Sequence, residues 1–195
     1  MVRIFEQYFI IFVILGSEAY YGDHPWQASL RIRGHDQTYH WCGAALISHF
    51  HLITAAHCLK DFPLKQYLVR VGDHELDVEN IEESEYEIET AEFSEYWNVG
   101  PYLNNDIAIV TIKSNDSSGI RFGQFVSPVC LPASNLNYPP NLNLTITGWG
   151  RIGYEGVNSD ASNLPKRNIH GATIALQEAT VPLISSSVCT SDKVS

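Results

Sequence analysis

The stretch best suited to chemistry is Thr54-Ala55-Ala56-His57-Cys58, which follows the apolar Leu46-Ile47 and the strand-like His51-Leu52-Ile53. Histidine is the side chain that both accepts and donates a proton near neutrality, because its ordinary pKa is about 6.5. Two small residues, Ala55 and Ala56, let the backbone turn tightly before it. Cys58 can be tied to Cys42, sixteen positions earlier, closing a loop worth about 3 kcal/mol. An imidazole held between such constraints suits proton transfer. The other histidines sit in settings that read as ordinary core or surface positions. His49 and His51 form an H-x-H pair that could present two ligands on one strand face. With no suitably spaced third ligand, the pair reads as a solvent-facing strand surface rather than a zinc site.

The elements around His57 carry a resemblance. Trp41-Cys42-Gly43-Ala44-Ala45-Leu46-Ile47 followed by T-A-A-H-C is similar to the chymotrypsin-like (trypsin-fold) serine proteases. Asn105-Asp106-Ile107-Ala108-Ile109 resembles that family's aspartate segment, Thr147-Gly148-Trp149-Gly150 its glycine-tryptophan-glycine turn, and His24-Pro25-Trp26-Gln27-Ala28-Ser29-Leu30 its opening. The resemblance spans about Ile14 to Cys189. It implies an all-β fold, a chymotrypsin-like double antiparallel β-barrel. It also implies serine endopeptidase activity on protein or peptide substrates, with His57 as general base and Asp106 orienting it. The family's nucleophile string, G-D-S-G-G, occurs nowhere between Met1 and Ser195. Ser195 has no flanking glycines to shape an oxyanion hole. The chain is therefore expected to stop inside an incomplete second barrel, short of the nucleophile and specificity pocket, and to be inactive as it stands. The alternative reading is a non-catalytic homologue that uses the barrel as a protein-binding or regulatory surface.

Short strands separated by polar turns support the all-β expectation. The predicted strands are 27–31, 42–47, 51–54, 67–71, 86–93 and 107–112 in the first barrel, at about residues 24–118. The incomplete second barrel, about 119–195, has an alternating strand around Leu142, Leu144 and Ile146, then 172–176 and 180–183. A polar linker is expected over 113–122, and the unfinished barrel is expected to expose strand edges. Residues 1–19 read as a leader: Arg3, the apolar run Tyr8 to Leu15, then Ser17 and Ala19 resemble a secretory signal. Ile14-Leu15-Gly16-Ser17 also resembles the I-V-G-G that begins the family's mature chain, yet Val13 precedes it where activation would need Arg or Lys. The leader is thus either a signal or a segment joined artificially to a protease body. Eight apolar residues are too few for a membrane span.

Charge narrows the partners. Twenty-two acidic residues against twelve basic ones give a net charge of −10, which repels nucleic-acid phosphates, so nucleic acid is excluded as a partner. No sequence feature sets an oligomeric state. Four cysteines favour an oxidising compartment, and with the signal-like leader the reading is a secreted, extracellular protein. Asn115 and Asn143 begin N-glycosylation sequons that fit secretion. Cys130, in Pro128-Val129-Cys130-Leu131-Pro132, resembles a cysteine that bonds an upstream pro-segment in modular relatives. Cys189 resembles one whose partner lies further along the family's domain.

Residues 73–95 hold eleven acids and no lysine or arginine. Such a run ordinarily forms a solvated face. Here Val71 to Glu83 also resembles the calcium loop of trypsin-like proteases. That match implies a possible calcium ion bound by the Asp73 and Glu83 side chains and the Glu75 and Val78 carbonyls, oxygen ligands of the kind calcium takes. No other cofactor is implied.

Overall fold

The computed structural model describes residues 16–100, 104–114, 118–136, 138–150 and 173–184, and these fall into two compact units. The larger unit, 20–131, is a closed six-stranded antiparallel barrel. Its strands are β2 (Gln27–Arg33), β3 (Thr38–Leu46), β4 (His51–Thr54), β5 (Tyr67–Val71), β6 (Ser84–Phe93) and β7 (Ala108–Ile112). They close in the order β2-β3-β4-β7-β6-β5. Closure removes every edge, so each backbone N–H and C=O of the wall can find a neighbour.

Alternation dictates which side chains enter the barrel. In β7, Ala108, Val110 and Ile112 are buried while Ile109 and Thr111 face outward. They meet Ala28 and Leu30 of β2, Leu46 of β3, Leu52 of β4, Val69 and Val71 of β5 and Ile88 of β6. The predicted strands match closely; β4 and β5 have the expected bounds, and β3 begins earlier than predicted, at Thr38. That extension holds because the β2–β3 hairpin pairs on to Arg33 and Thr38 after a register shift between Leu30 and Arg31.

This unit also reaches beyond the expected barrel boundary and takes in the expected linker. Ile120 and Val126 are buried in the barrel core, and backbone bonds from Ile120 to His49, Ser127 to Pro25 and Val129 to Leu46 tie the segment down. Apolar side chains spaced along a polar segment explain why composition alone suggests a linker there.

The second unit contains a three-stranded sheet, β1-β9-β8, from β1 (Ser17–Glu18), β8 (Asn143–Gly148) and β9 (Gln177–Pro182). Ser17 and Glu18, placed in the leader by the sequence reading, pair here with Glu178 and Gln177, and the Ala19 N–H donates to the Leu176 carbonyl. The predicted strand at 172–176 is displaced. Among its described residues only Thr173 and Ala175 make single-residue bridges, and the ladder proper runs over β9, which pairs with β8 from Asn143–Pro182 to Gly148–Gln177. Trp149, of the glycine-tryptophan-glycine turn, is buried just past β8. No helix among the described residues is long and apolar enough to cross a membrane.

Candidate active site

His57 sits in a short 3₁₀ turn, Ala56–Leu59, directly after β4. The turn forms because Ala55 is extended and its carbonyl accepts the Cys58 N–H at 3.1 Å. Ala56 is fully buried, so only a very small side chain fits there. Two further links hold the turn to β3, and a third ties the end of β4 just before it to the same strand. Cys58 is disulfide-bonded to Cys42 of β3, with Cα atoms 6.2 Å apart. The Trp41 indole N–H donates to the Cys58 carbonyl at 2.9 Å, and the Thr54 hydroxyl donates to the Gly43 carbonyl at 2.9 Å.

Asp106 approaches from the residue pair before β7. Asn105 adopts a left-handed backbone, φ 55°, which asparagine tolerates better than most residues. Its side-chain amide donates to the Tyr96 carbonyl at 3.1 Å, and its carbonyl accepts the Ile107 N–H at 2.8 Å. This kink turns the Asp106 carboxylate toward His57. One oxygen, Oδ1, accepts the His57 backbone N–H at 2.8 Å, and the other, Oδ2, lies 2.6 Å from Nδ1. A carboxylate oxygen accepts, so the shared proton belongs to Nδ1 and Nε2 is the basic nitrogen. Both side chains are largely shielded, at 15% and 13% exposure. The arrangement can take a proton at Nε2 while the carboxylate stabilises the resulting imidazolium. Nε2 lies 3.5 Å from Cys58 Sγ. Cys42, His57 and Cys58 place ligand-type atoms within 4.8 Å of one another, but both sulfurs are spent in the disulfide, and a metal needs thiolates.

The chain matches the family model described as Trypsin over residues 13–195. The chain belongs to the trypsin family. It is 32% identical to Chymotrypsin-C of Rattus norvegicus over 179 residues, 91% of this chain and 59% of that protein. It is 30% identical to Ovochymase-2 of Mus musculus over 187 residues, covering 94% of this chain and 27% of that protein. To Serine proteinase stubble of Drosophila melanogaster it is 31% identical over 185 residues, 92% of this chain and 21% of that protein. The chain thus spans about three fifths or less of the length of these relatives. It is a trypsin-family domain of the chymotrypsin fold.

The structure brings a second set of predicted trypsin-family residues together in the loop after β5. Asp73 Oδ1, the Glu75 and Val78 carbonyl oxygens and Glu83 Oε2 all lie within 3.3 Å of one atom, the Asn80 side-chain nitrogen. Gly72 opens this loop with φ 74°, and a Cβ there would lie 2.5 Å from the Glu82 carbonyl oxygen. The Asp73 side chain is wholly buried, and its Oδ2 has no hydrogen bond. Burial, reinforced by Glu83, pushes its carboxyl up to about 6. Arg31 of β2 lies 3.6 Å from Asp73, and Arg70 of β5 lies 3.0 Å from Glu83. Burial lowers the Arg31 guanidinium from its ordinary range.

Sequence reasoning missed Asn80, Arg31 and Arg70. Arg31 within the strand Gln27–Arg33 and Arg70 within the otherwise apolar strand Tyr67–Val71 were the available signals, since a buried cation demands a partner. His49 and His51 are engaged separately. His49 lies ahead of β4, not in it, with Nδ1 2.8 Å from the Ile120 carbonyl and its ring stacked on Phe122, while His51 Nδ1 lies 2.8 Å from Ser48 Oγ. Asn143 is exposed at the start of β8, and Cys130 is exposed and not disulfide-bonded. Asn115 and Cys189 lie outside the described residues.

Proposed function

We propose that this domain supplies the acid–base half of a peptide-hydrolysing serine protease site, with His57 as general base and Asp106 as its orienting carboxylate. The observation that carries the reading is the two-point grip of Asp106 on the His57 backbone and ring. In that role His57 takes the proton of an attacking serine hydroxyl at Nε2 and returns it to the leaving amine. Asp106 fixes the tautomer and meets the charge that develops. The substrates are proteins or peptides. Residues 1–195 contain no glycine-flanked G-D-S-G-G serine, so the 195-residue chain alone is expected to turn over no peptide. The test is Asp106→Asn in a product that extends this chain through such a serine. The expected loss in kcat is about 10⁴-fold with folding retained. A kcat within about threefold of the parent would sink the assignment.

The loop at Asp73–Glu83 fits a hard cation by its donor chemistry: four converging oxygens, two of them carboxylate. Calcium would be held by the side chains of Asp73 and Glu83 and the carbonyls of Glu75 and Val78. Bound there it would supply positive charge between the two carboxylates and stiffen the loop. Secretion is supported by the Cys42–Cys58 disulfide, a bond that persists in oxidising compartments. Exposed Asn143 is then a glycosylation position.

A further inference from the structure

We infer that Cys42, His57 and Cys58 form a zinc site once the disulfide between the two cysteines is opened. Ligand-type atoms of the three residues already lie within 4.8 Å of one another, and His57 Nε2 is 3.5 Å from Cys58 Sγ. Tetrahedral zinc, with bonds of about 2.3 Å to sulfur and about 2.0 Å to nitrogen, sets those two ligand atoms about 3.5 Å apart. The nitrogen therefore stands at a ligand's distance before any metal arrives. The two sulfurs have to part to about 3.8 Å, and their Cα atoms, 6.2 Å apart, lie toward the wide end of the range that a bridged pair spans. A second observation comes from the far side of the ring. Zinc-binding histidines carry their other N–H on a carboxylate or carbonyl, which fixes the tautomer and makes the ligating nitrogen more basic. Asp106 Oδ2, 2.6 Å from Nδ1, supplies that partner.

Opening the site takes a dithiol reductant. It gives two electrons and two protons to the Cys42–Cys58 pair; the S–S bond breaks, two thiols form, and the reductant closes to its own disulfide. Zinc then binds both sulfurs as thiolates, and their two protons pass to solvent. Hydrogen bonds hold the three ligands in place without the S–S bond. The Trp41 indole N–H donates to the Cys58 carbonyl at 2.9 Å, the Cys58 N–H to the Ala55 carbonyl at 3.1 Å, and the His57 N–H to Asp106 Oδ1 at 2.8 Å. Behind them β3 pairs with β4 at Ala45–Ile53 and Leu46–Leu52. Cys42 and His57 are half-buried, so water can reach the fourth position of a tetrahedral ion. Disulfide and zinc are thus alternative staples between the same two positions. Zinc also occupies the Nε2 lone pair, so the reduced, metal-bound form has no free base. That last consequence rests on the reading of His57 as general base; the metal site does not.

The experiment starts from the oxidised 195-residue chain. Iodoacetamide caps exposed Cys130 and any other free thiol, and the chain is then reduced with a dithiol and desalted without oxygen, so that Cys42 and Cys58 are its thiols. Circular dichroism follows the fold, cobalt(II) chloride reports the ligand type, and zinc chloride is titrated by calorimetry. One cobalt per chain is expected, with thiolate-to-cobalt charge-transfer absorption and the intense visible bands of a tetrahedral ion, all discharged by zinc. The reduced chain should bind zinc at least about 100-fold tighter than the oxidised one. Asp106→Asn, which keeps all three ligands, should weaken zinc about tenfold, and His57→Ala should weaken it more. Should His57→Ala fail to fold, the ¹⁵N resonance of His57 Nε2 in the reduced parent replaces it and should move when zinc is added. A reduced chain that unfolds and regains its native circular dichroism with zinc supports the inference equally. Failure of zinc to restore an unfolded reduced chain would overturn it. So would a cobalt spectrum without thiolate charge transfer, equal zinc affinities of the oxidised and reduced chains, an affinity untouched by either substitution, or an Nε2 resonance that zinc does not move. No turnover is read, so failure of the general-base reading leaves each of these outcomes as it stands.

Discussion

Asp106 and Asp73 are the same residue type in one barrel unit, and their surroundings could hardly differ more. Asp106 meets two donors with its two oxygens, both from His57, at 2.8 and 2.6 Å. Asp73 has one oxygen in a crowded cage at 3.3 Å from a shared amide and the other buried without a hydrogen bond. The first carboxylate is matched donor for acceptor, which fixes a geometry. The second shares an amide donor at one oxygen and at the other faces Arg31 and Arg70, at 3.6 and 4.0 Å, without a hydrogen bond. What differs most is the number of hydrogen-bond donors each carboxylate meets.

The largest way to sharpen this contrast is acidification. His40 lies on β3, the strand that carries Cys42, and its Nδ1 is 2.7 Å from the hydroxyl of fully buried Ser29. Burial, with Arg31 nearby, drops its ring to about 3. A folded-state value below the unfolded one means that the unfolded chain takes up the proton first. Stability should therefore be lost as pH falls from about 6.5 toward 3, by roughly 4 kcal/mol. Denaturant melts of the parent and of His40→Gln across that range check it, and the variant should lack this slope.

Next in size is the disulfide that anchors the His57 turn. Replacing Cys42 and Cys58 together by serine should cost about 3 kcal/mol of unfolding free energy. Reading the same melts for an Asp73→Asn chain should show no comparable loss of order around His57. The smallest effect carries the opposite sign to His40. Asp73 is raised to about 6, so its folded form holds the proton more tightly than the unfolded chain does. In EDTA, its contribution should increase stability as pH falls from about 6 toward 4, by about 2 kcal/mol. Asp73→Asn should remove that gain and make acid unfolding steeper. A parent and variant with identical pH slopes between 4 and 6 would break the comparison.

Much of the fold was readable because alternation in a closed barrel leaves little choice. Ala108, Val110 and Ile112 announce an inward face, and the bounds of β4 and β5 follow from the residues themselves. The boundary near Ile120 and Val126 was hidden by their polar neighbours, since only tertiary packing shows that those two side chains complete the core. At the site, His57 and Asp106 were legible through motif order, whereas the left-handed turn at Asn105 that aims the carboxylate is written only as an Asn-Asp pair. Asn80 was invisible for a different reason. An asparagine among glutamates looks like surface until the loop closes around it.

The claim at the centre of this account is that Asp106 holds the proton of His57 on Nδ1 and leaves Nε2 basic. The most direct measurement is NMR of the imidazole nitrogens and the Nδ1-bound proton in the ¹⁵N-labelled chain, beside Asp106→Asn. We predict a downfield Nδ1–H resonance assigned to His57 in the parent, with Nε2 carrying the lone pair, and its loss in the variant. An Nε2–H tautomer in the parent, or a proton signal indifferent to the substitution, would contradict the account.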